Sequence, residues 1–463
     1  MRASYTIKRL TDTTRGLRAE RQGRAAEGWS RERLEAHQRQ KLQDLVRHAV
    51  ARSPFYREHL RGVDLSRPVE LGELPPVSKA TLMSRFEDWV TDPRLSLALV
   101  ERHLETLECD DYLLGGYRAM ATGGSTGTRG LFIFSRGEWS ALLGLMFRLL
   151  KGMGVVPRLP RMRLAAIGAP SALHMTYRLS ESVDIGLYRR RQLAATLPVL
   201  RLVAALNDHQ PDYVNVYPSV GALLAEEQLE GRLRISPSIV STSSEVCTEE
   251  MRERMRLAWS LEPYDFYGAT DGLWGTSCAE HRGIHFAEDH TLVEVVDSSG
   301  RPVEPGQSGA KLLITNLFMR TQPIIRYEIT DIVRIEPEPC RCGRPFRLVA
   351  AVEGRSDDIL QLAGDGGQPV TLHPLVLRSP LARLGGARQY QVIQRQDGLT
   401  IRLVPRESAD AGTVAEEARQ AVRRALAQAG AGSTPVRVEL AGSLERDDTA
   451  GGKLKLVRSE LAR

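Results

Sequence analysis

A loop of small residues is compatible with three different roles, two of which involve chemistry. Residues 121–130 read ATGGSTGTRG and combine four glycines with serine and threonine. Such a loop is typical of a nucleotide phosphate loop, of the nucleophile turn of a hydrolase, or of a plain connector. The surrounding sequence has to distinguish between the three.

Two better-known motifs do not fit this loop. Gly123, Ser125 and Gly127 match the Gly-x-Ser-x-Gly nucleophile turn, but that turn leads into a helix, and here the strand-like LFIF follows. A Walker A loop ends in Gly-Lys-Ser/Thr, whereas Gly127 is followed by Thr128 and Arg129. A plain connector stays open beside a nest of backbone N–H groups and hydroxyls that would hold phosphate oxygens.

Three cysteines and a histidine have the spacing of a structural metal site. Cys340 and Cys342 form a Cys-x-Cys pair, and CAEHRGIH supplies Cys278 and His281 as Cys-x-x-His, with His285 as a substitute. Three thiolates and one imidazole suit a closed tetrahedral Zn²⁺ site, which has no open position for catalysis. Reduced cysteines without metal remain the alternative, because Cys-x-Cys is a short knuckle.

The elements that must position these groups follow from hydrophobic periodicity. Residues 31–61 have helical spacing that Pro54 interrupts. From 131 to 260 short apolar runs alternate with helix-like stretches, which favours a mainly parallel α/β sheet. After 283 extended segments lie between Asp-Ser-Ser-Gly and Pro-Gly turns, which indicates a β-rich region. Two strands, a helix and another strand beyond residue 369 predict a small α+β domain.

Length and composition exclude several classes of protein. The 463 residues are enough for more than one core, and the net charge of +6 comes from interspersed charges rather than from one basic block. No apolar run is long enough for a membrane span, and the Arg-rich start lacks a signal peptide's apolar segment. We expect a cytoplasmic protein without a nucleic-acid or membrane partner, whose five cysteines do not form a disulfide framework.

Four motifs follow the loop in a fixed order. They are DFYGATDG (265–272), RYEITDIV (326–333), EGRSDDIL (353–360) and TAGGKLKL (449–456). With the loop, they resemble the adenylate-forming superfamily of acyl-CoA synthetases and peptide-synthetase adenylation domains. SPFYREHL, STSSEVCTEEMRERM and CRCGRP are similar to its phenylacetate-CoA ligase branch. The resemblance spans nearly the whole chain.

The resemblance implies a fold and a reaction. Residues 1–356 would form a large α/β domain with a β-rich subregion that binds ATP and acid, and residues 357–463 a small mobile α+β domain. A carboxylic acid, aromatic in this branch, would attack the α-phosphorus of ATP with Mg²⁺ present, giving an acyl adenylate and pyrophosphate. CoA would then accept the acyl group, with an amine, a hydroxyl or a carrier-protein thiol as alternative acceptors. Dimers are common in the branch, which leaves a homodimer open.

The resemblance assigns the loop to the departing phosphates. Ser125, Thr126, Gly127 and Thr128 would cradle the β- and γ-phosphates. Arg129 would supply positive charge where relatives often carry lysine, although the proline common beside that cation is missing here. Catalysis of this kind depends on positioned donors and cations rather than on a covalent group.

The same resemblance assigns residues to the rest of the nucleotide. Thr270 would contact the α-phosphate, Asp331 would accept hydrogen bonds from the ribose hydroxyls, and Arg355 would support ribose and phosphate. Asp357 would be the hinge about which the small domain turns. Lys453 would bridge the substrate carboxylate and the ribose-phosphate oxygens, and it is conspicuous because the chain is rich in arginine and poor in lysine.

The remaining assignments concern adenine, magnesium and the acid. Phe266 and Tyr267 would lie near the adenine, with Ser244 and Glu245 on the opposite wall. Asp271 stands where most relatives have a glutamate that binds Mg²⁺, and a shorter carboxylate can act through water. The predicted acid pocket consists of Tyr217, Pro218, Gly268 and Trp274. The sequence around Gly364, AGDGGQPVTLHP, is unusual for the loop that would face the acceptor, so CoA is only the favoured acceptor.

Overall fold

The computed structural model describes the backbone of residues 2–122, 130–169, 172–355, 358–372, 374–446 and 453–461. The residues predicted to hold phosphate, Ser125, Thr126, Gly127, Thr128 and Arg129, lie outside the described residues. The predicted hinge residue Asp357 lies outside them as well. Their assigned roles stay predictions.

The first part of the chain is helical. Serine hydroxyls begin its helices: Ser30 accepts a hydrogen bond from the backbone N–H of Arg33, and Ser53 accepts one from that of Tyr56. Pro54 occupies the first turn of a new helix, where its missing N–H costs nothing, so the predicted interruption is confirmed. The helices are α1 (Arg2–Arg24), α2 (Arg31–Arg52), α3 (Pro54–His59), α4 (Lys79–Ser84), α5 (Phe86–Trp89) and α6 (Leu97–Glu105). None of the described helices is long and apolar enough to cross a lipid bilayer.

Strands and helices then alternate, as the apolar pattern predicts. The elements are β1 (Tyr117–Ala121), β2 (Leu131–Ser135), α7 (Arg136–Gly152), β3 (Arg163–Gly168), α8 (Met175–Ser182), β4 (Arg189–Ala194), α9 (Val199–His209), β5 (Tyr213–Val216), α10 (Pro218–Leu229), β6 (Ile239–Ser243), α11 (Glu249–Trp259), β7 (Tyr264–Gly268) and β8 (Trp274–Ser277). The LFIF run is strand β2, buried on both faces, which confirms that no helix follows the small-residue loop directly.

The predicted β-rich region follows. It consists of β9 (Ile284–Phe286), β10 (Thr291–Val296), β11 (Lys311–Asn316), β12 (Tyr327–Ile329), β13 (Asp331–Ile335) and β14 (Leu348–Arg355). β10, β11 and β12 form a separate three-stranded sheet. β13, β14 and β9 extend a nine-stranded sheet whose order is β13-β14-β9-β8-β7-β6-β5-β3-β4. Neighbouring strands from β4 to β7 are parallel, and those from β7 to β13 are antiparallel.

The C-terminal part has its own apolar core. Its elements are β15 (Leu360–Ala363), β16 (Pro369–Leu372), α12 (Pro374–Ala382), β17 (Ala387–Arg395), β18 (Gly398–Pro405), α13 (Ala411–Gln428), β19 (Val436–Leu440) and β20 (Val457–Ser459). The sheet β19-β18-β17-β20 packs with α12 and α13 around a cluster that runs from Leu360 to Val457. The fold is the predicted α/β class with a small α+β part, while the boundary at 356/357 stays a prediction.

Buried carboxylates join this C-terminal part to the large sheet. Glu226 and Glu227 on α10 are 5% and 1% exposed. The Glu226 carboxylate lies 2.9 Å from Arg388 Nε, 3.0 Å from Arg406 Nη1 and 3.1 Å from Arg254 Nη1. Arg388 Nη2 also donates to Glu227 Oε1 over 2.9 Å. Arg388 and Arg406 of the C-terminal part therefore pair with carboxylates of α10, while Arg254 on α11 supports Glu226 as well.

Candidate active site

The motif DFYGATDG forms strand β7 and the turn into β8. The backbone N–H of Gly272 donates to Ala269 O over 3.0 Å, and Gly272 has φ +90°. A Cβ at Gly272 would lie 2.2 Å from Asn316 Nδ2, so a side chain does not fit there. Asn316 Nδ2 in turn donates to Asp271 O over 3.0 Å. The turn therefore displays Thr270 and Asp271 at a fixed position beyond the strand ends.

Asp271 is a buried carboxylate with an unused oxygen. It is 8% exposed, and its Oδ1 has no hydrogen-bond partner in the described part of the chain. Burial, and then the negative charge of Asp331, raise the pKa of Asp271 to about 7. A buried acceptor oxygen of this kind is expensive unless a cation or donor meets it. Asp271 is therefore suited to bind a divalent cation.

Asp331 lies at the centre of a hydrogen-bonded group. It begins β13 opposite Arg355 at the end of β14, and Arg355 Nε donates to Asp331 Oδ1 over 3.3 Å. Tyr267 donates its hydroxyl proton to Asp331 Oδ2 over 3.1 Å. Burial first, and then Asp331, hold the pKa of Tyr267 well above its usual range, so the phenol stays a donor. Asp331 can still accept further hydrogen bonds from vicinal hydroxyls.

Lys453 reaches the same place from the C-terminal part. Burial first, and then the positive charge of Arg355, lower the pKa of Lys453 from 10.5 to about 8, while Glu245 and Asp331 act in the opposite direction. The two carboxylates therefore help this buried ammonium group to keep its charge. The Lys453 ammonium group can therefore pair with an additional negative charge in the cavity.

Glu245 connects Lys453 to the large sheet. Its Oε1 accepts a hydrogen bond from the backbone N–H of Leu454 over 2.7 Å, and its Oε2 accepts one from that of Ser219 over 3.1 Å. Arg446 Nη1 lies 3.5 Å from Glu245 Oε1. Ser244 before it has φ +70°, an uncommon conformation for a serine and one that is concentrated at functional sites. Glu245 thus fixes the segment that carries the lysine, a role that the sequence did not indicate.

One cavity of about 1150 Å³ unites these groups. Its lining includes most of the predicted residues: Tyr217, Ser244, Glu245, Phe266, Tyr267, Gly268, Thr270, Asp271, Trp274, Asp331, Arg355 and Lys453. Pro218 is not part of the lining, because it forms the first turn of α10. Phe266 and Tyr267 were both assigned to adenine, but they alternate across β7: Tyr267 reaches Asp331, whereas the Phe266 ring lies 5.5 Å from that of Trp274.

Several residues of the cavity lining were not among the predicted site residues. Asn215 and Tyr213 on β5 line the cavity, as do Ser243 on β6 and Met146 on α7. The segment YVNV held a usable signal, because alternating residues of a strand share a face and Tyr213 and Asn215 are two positions apart.

The predicted thiolate cluster is present with a different histidine. Ligand atoms of Cys278, Cys340, Cys342 and His285 all lie within 4.8 Å of one another. Cys278 Sγ is 3.3 Å from Cys340 Sγ, and Cys342 Sγ is 3.3 Å from His285 Nε2. His285 Nδ1 lies 3.2 Å from Arg347 O, so that a proton on Nδ1 leaves Nε2 free for a metal. The donor set and spacing fit tetrahedral Zn²⁺.

The choice of His281 as the fourth ligand was wrong. The chain turns back after β8 so that β9 pairs with it, and Thr276 faces His285 in this pairing. His281 lies at the tip of the turn with φ +51°, and its ring is 4.7 Å from the ring of Tyr264. Gly283 allows the return, because a Cβ there would lie 2.3 Å from Val349 O. The Cys-x-x-His spacing predicted that His281 would join the cluster, but the pairing of β8 with β9 brings His285 next to the cysteines instead.

Comparison with known proteins gives consistent relatives. No protein-family model matches the chain. It is 26% identical over 394 residues to the phenylacetate-coenzyme A ligase of Thermus thermophilus, a match that covers 80% of each chain. It is 24% identical over 396 residues to the phenylacetate-coenzyme A ligase of Escherichia coli, covering 81% of this chain and 83% of that one.

A solved structure has the same fold over nearly the whole length. 2-Hydroxyisobutyryl-CoA ligase in its postadenylation state, in complex with an acyl-AMP, aligns with TM-score 0.72 at 22% identity and covers 94% of this chain and 91% of its own. The same ligase aligns with TM-score 0.58 in an open conformation and 0.59 in the thioesterification state, at 21% and 23% identity and with coverage of 93% and 94% of this chain. The predicted resemblance to phenylacetate-CoA ligases is confirmed by these curated relatives, and the fold of the chain is that of 2-hydroxyisobutyryl-CoA ligase.

Proposed function

We propose that the chain activates a carboxylic acid with ATP as an acyl adenylate and then transfers the acyl group to CoA. The observation that carries this proposal is the convergence of Asp331, Arg355, Asp271 and Lys453, from distant parts of the sequence, on one cavity. The names of the curated relatives, phenylacetate-coenzyme A ligases, support CoA as acceptor and an aromatic acid as substrate. CoA and the aromatic acid are soluble small molecules, and a cytoplasmic location would supply ATP and CoA.

The first half-reaction brings two anions together. One oxygen of the substrate carboxylate attacks the α-phosphorus, and the bond from that phosphorus to the bridging oxygen breaks, releasing pyrophosphate. Asp331 would accept the ribose hydroxyls while Arg355 offsets its charge. Lys453 would pair with the approaching carboxylate and the α-phosphate, which lowers the repulsion between them in the transition state. In the second half-reaction the CoA thiol attacks the acyl carbon and AMP leaves.

Magnesium is the metal that this nucleotide chemistry calls for. The free, buried Oδ1 of Asp271 fits a hard cation, which prefers oxygen ligands. We propose that Asp271 holds Mg²⁺ directly or through water. The ion would supply positive charge to the phosphate oxygens.

The arrangement of the C-terminal part supports an adenylating geometry. The chain as a whole aligns better with the postadenylation form of 2-hydroxyisobutyryl-CoA ligase than with the other two forms. The Glu245 contact with Leu454 places Lys453 at the cavity in this arrangement. Residues 357–463 would have to turn away, about the proposed hinge at Asp357, before CoA could reach the acyl carbon.

The function is tested by pyrophosphate release across a panel of aryl and arylalkanoic acids, with and without CoA, and with product masses recorded. We expect acid-dependent pyrophosphate release and, when CoA is added, a mass equal to the acyl-CoA thioester. Product that forms equally without CoA would overturn the thioester assignment and favour an amine, hydroxyl or carrier thiol as acceptor. No acid-dependent release with any acid would overturn the proposed function.

Lys453→Ala separates the half-reactions. We expect adenylation to fall by roughly 100-fold or more, the usual cost of losing a positioned charge at the reacting centre. Thioester formation from a synthetic acyl adenylate should change little, because Lys453 is assigned only to the first step. Lys41→Ala, on the exposed side of α2, is the matched control and should retain both activities. Equal loss of both half-reactions in Lys453→Ala would contradict the assignment.

We also propose a structural Zn²⁺ at Cys278, His285, Cys340 and Cys342. These residues lie at the ends of β8 and β9 and in the connection from β13 to β14, so a metal there would fix the strands that carry Asp331 and Arg355. It would stabilise folding and nucleotide binding without touching substrate.

Metal analysis of the purified chain should give about one zinc per chain, since a closed four-ligand site binds one ion. Cys340→Ser should lower the zinc content and the Tm, and the matched change Cys109→Ser, at an exposed cysteine outside the cluster, should lower neither. Zinc far below one per chain in the native protein would show that the cluster holds reduced thiols only.

A further inference from the structure

A row of polar side chains crosses one face of the central parallel sheet. Asn215 on β5 pairs with Ala166 on β3 and with Ser241 on β6. Paired residues of neighbouring parallel strands point to the same face, and so do residues two apart along one strand. Tyr213 and Ser243 therefore share this face with Asn215 and Ser241.

The row is held together by hydrogen bonds. Tyr213 and Ser241 share a hydroxyl–hydroxyl bond of 2.7 Å, and Asn215 Nδ2 donates to Ser241 Oγ over 2.8 Å. Ser243 Oγ donates to Asn215 Oδ1 over 3.4 Å, near the outer limit of a hydrogen bond. The amide oxygen has two lone pairs, so it keeps the capacity for a stronger donor.

Such a row is unexpected for the interior of a parallel sheet. Strands covered on both faces are usually continuous apolar runs. The opposite face follows this rule, since Val214, Val216 and Val240 pack in one apolar cluster with α9, α10 and α11. Polar groups in a core cost free energy unless their hydrogen bonds are made, and a site that reads a polar ligand is a common reason to keep them.

The polar row lines the substrate end of the cavity. Tyr213, Asn215 and Ser243 are part of the lining, and Asn215 is only partly buried. Tyr217 follows the C-terminal end of β5, at the same edge of the parallel sheet as Gly268 at the C-terminal end of β7, whereas Asn215 is two residues back, about 7 Å along the strand. Apolar side chains line the same cavity, among them Met146 and Leu150 from α7 and Met175 and Leu179 from α8. An acid with its carboxylate near Lys453 would extend along this partly apolar cavity toward Asn215.

We infer that the substrate acid carries a hydrogen-bond donor, a hydroxyl or amino group, at the end of its aromatic body remote from the carboxylate, and that Asn215 accepts this hydrogen bond. The inference rests on the proposed function and names the substrate class within it. The apolar walls bind the ring, and Ser241 and Tyr213 orient the Asn215 amide so that its oxygen faces the cavity. An acid with a bare or methyl-capped ring would leave the amide oxygen without a good donor, which is the basis of discrimination.

The test uses aryl acids that differ only at the remote position, bearing hydrogen, methyl, hydroxyl or amino. For each acid, kcat/KM is measured by ATP-dependent pyrophosphate release. We expect the native chain to prefer the hydroxyl or amino acid over its methyl counterpart by about 10-fold or more, in line with one buried hydrogen bond. Asn215→Leu, which keeps the size and removes the amide, should abolish or reverse that preference while it still activates the methyl acid.

The control and the outcomes separate the two claims. Asn207→Leu makes the same change on α9, where the Asn207 amide donates to Arg232 O, and it should leave the preference unaltered. Turnover without a preference in the native chain, or a preference that survives in Asn215→Leu, would overturn the inference and leave the proposed function standing. If no acid supports pyrophosphate release, the proposed function fails and the inference fails with it. If Asn215→Leu does not fold, Asn215→Ala takes its place and should likewise abolish or reverse the preference.

Discussion

A lysine whose charge is supported by carboxylates from another part of the chain is the constraint on which the rest of this site depends. Lys453 stands near Arg355, which disfavours its charge, and near Asp331 and Glu245, which favour it. Glu245 also holds the backbone of the next residue, Leu454. The side chain is therefore held at the cavity only while the C-terminal part rests on the large sheet.

Ion pairs between α10 and the C-terminal part contribute to this position. Glu226 and Glu227 are almost fully buried on α10, and their cations come from α11, from Arg232 just after α10 and from the C-terminal part. Arg254 and Arg232 would stay with the carboxylates if the C-terminal part moved, whereas the pairs with Arg388 and Arg406 exist only in this arrangement, so they favour it without having to add to stability. Arginine suits this contact because its forked guanidinium group can pair with two carboxylates at once, as Arg388 does with Glu226 and Glu227.

Much of this could be predicted from the sequence, for reasons that differ between features. Helix α2 and the alternating strands and helices follow from apolar periodicity, which is a local property. Asp331, Arg355 and Lys453 were identified by motifs in order. His285 displaced His281 because the hairpin of β8 and β9 sets which histidine meets the thiolates, and strand pairing is not a local property. The spacing in YVNV could show that Tyr213 and Asn215 share a face, but the contact of Glu245 with Leu454 and the hydrogen bonds of Asn215 to Ser241 and Ser243 join segments distant in sequence, which no local spacing reveals.

Lys453 therefore makes the pH dependence of adenylation the most direct measurement of this account. With ATP varied and CoA absent, kcat/KM for pyrophosphate release reports the protonation state of the free enzyme. The pKa of Lys453 is lowered to about 8, so the cation is present below that pH and is lost as the pH rises through it. We predict that kcat/KM falls above pH 8 in the native chain and that Lys453→Arg, whose guanidinium stays charged, moves the falling limb to higher pH. A falling limb at the same pH in both proteins would contradict the account.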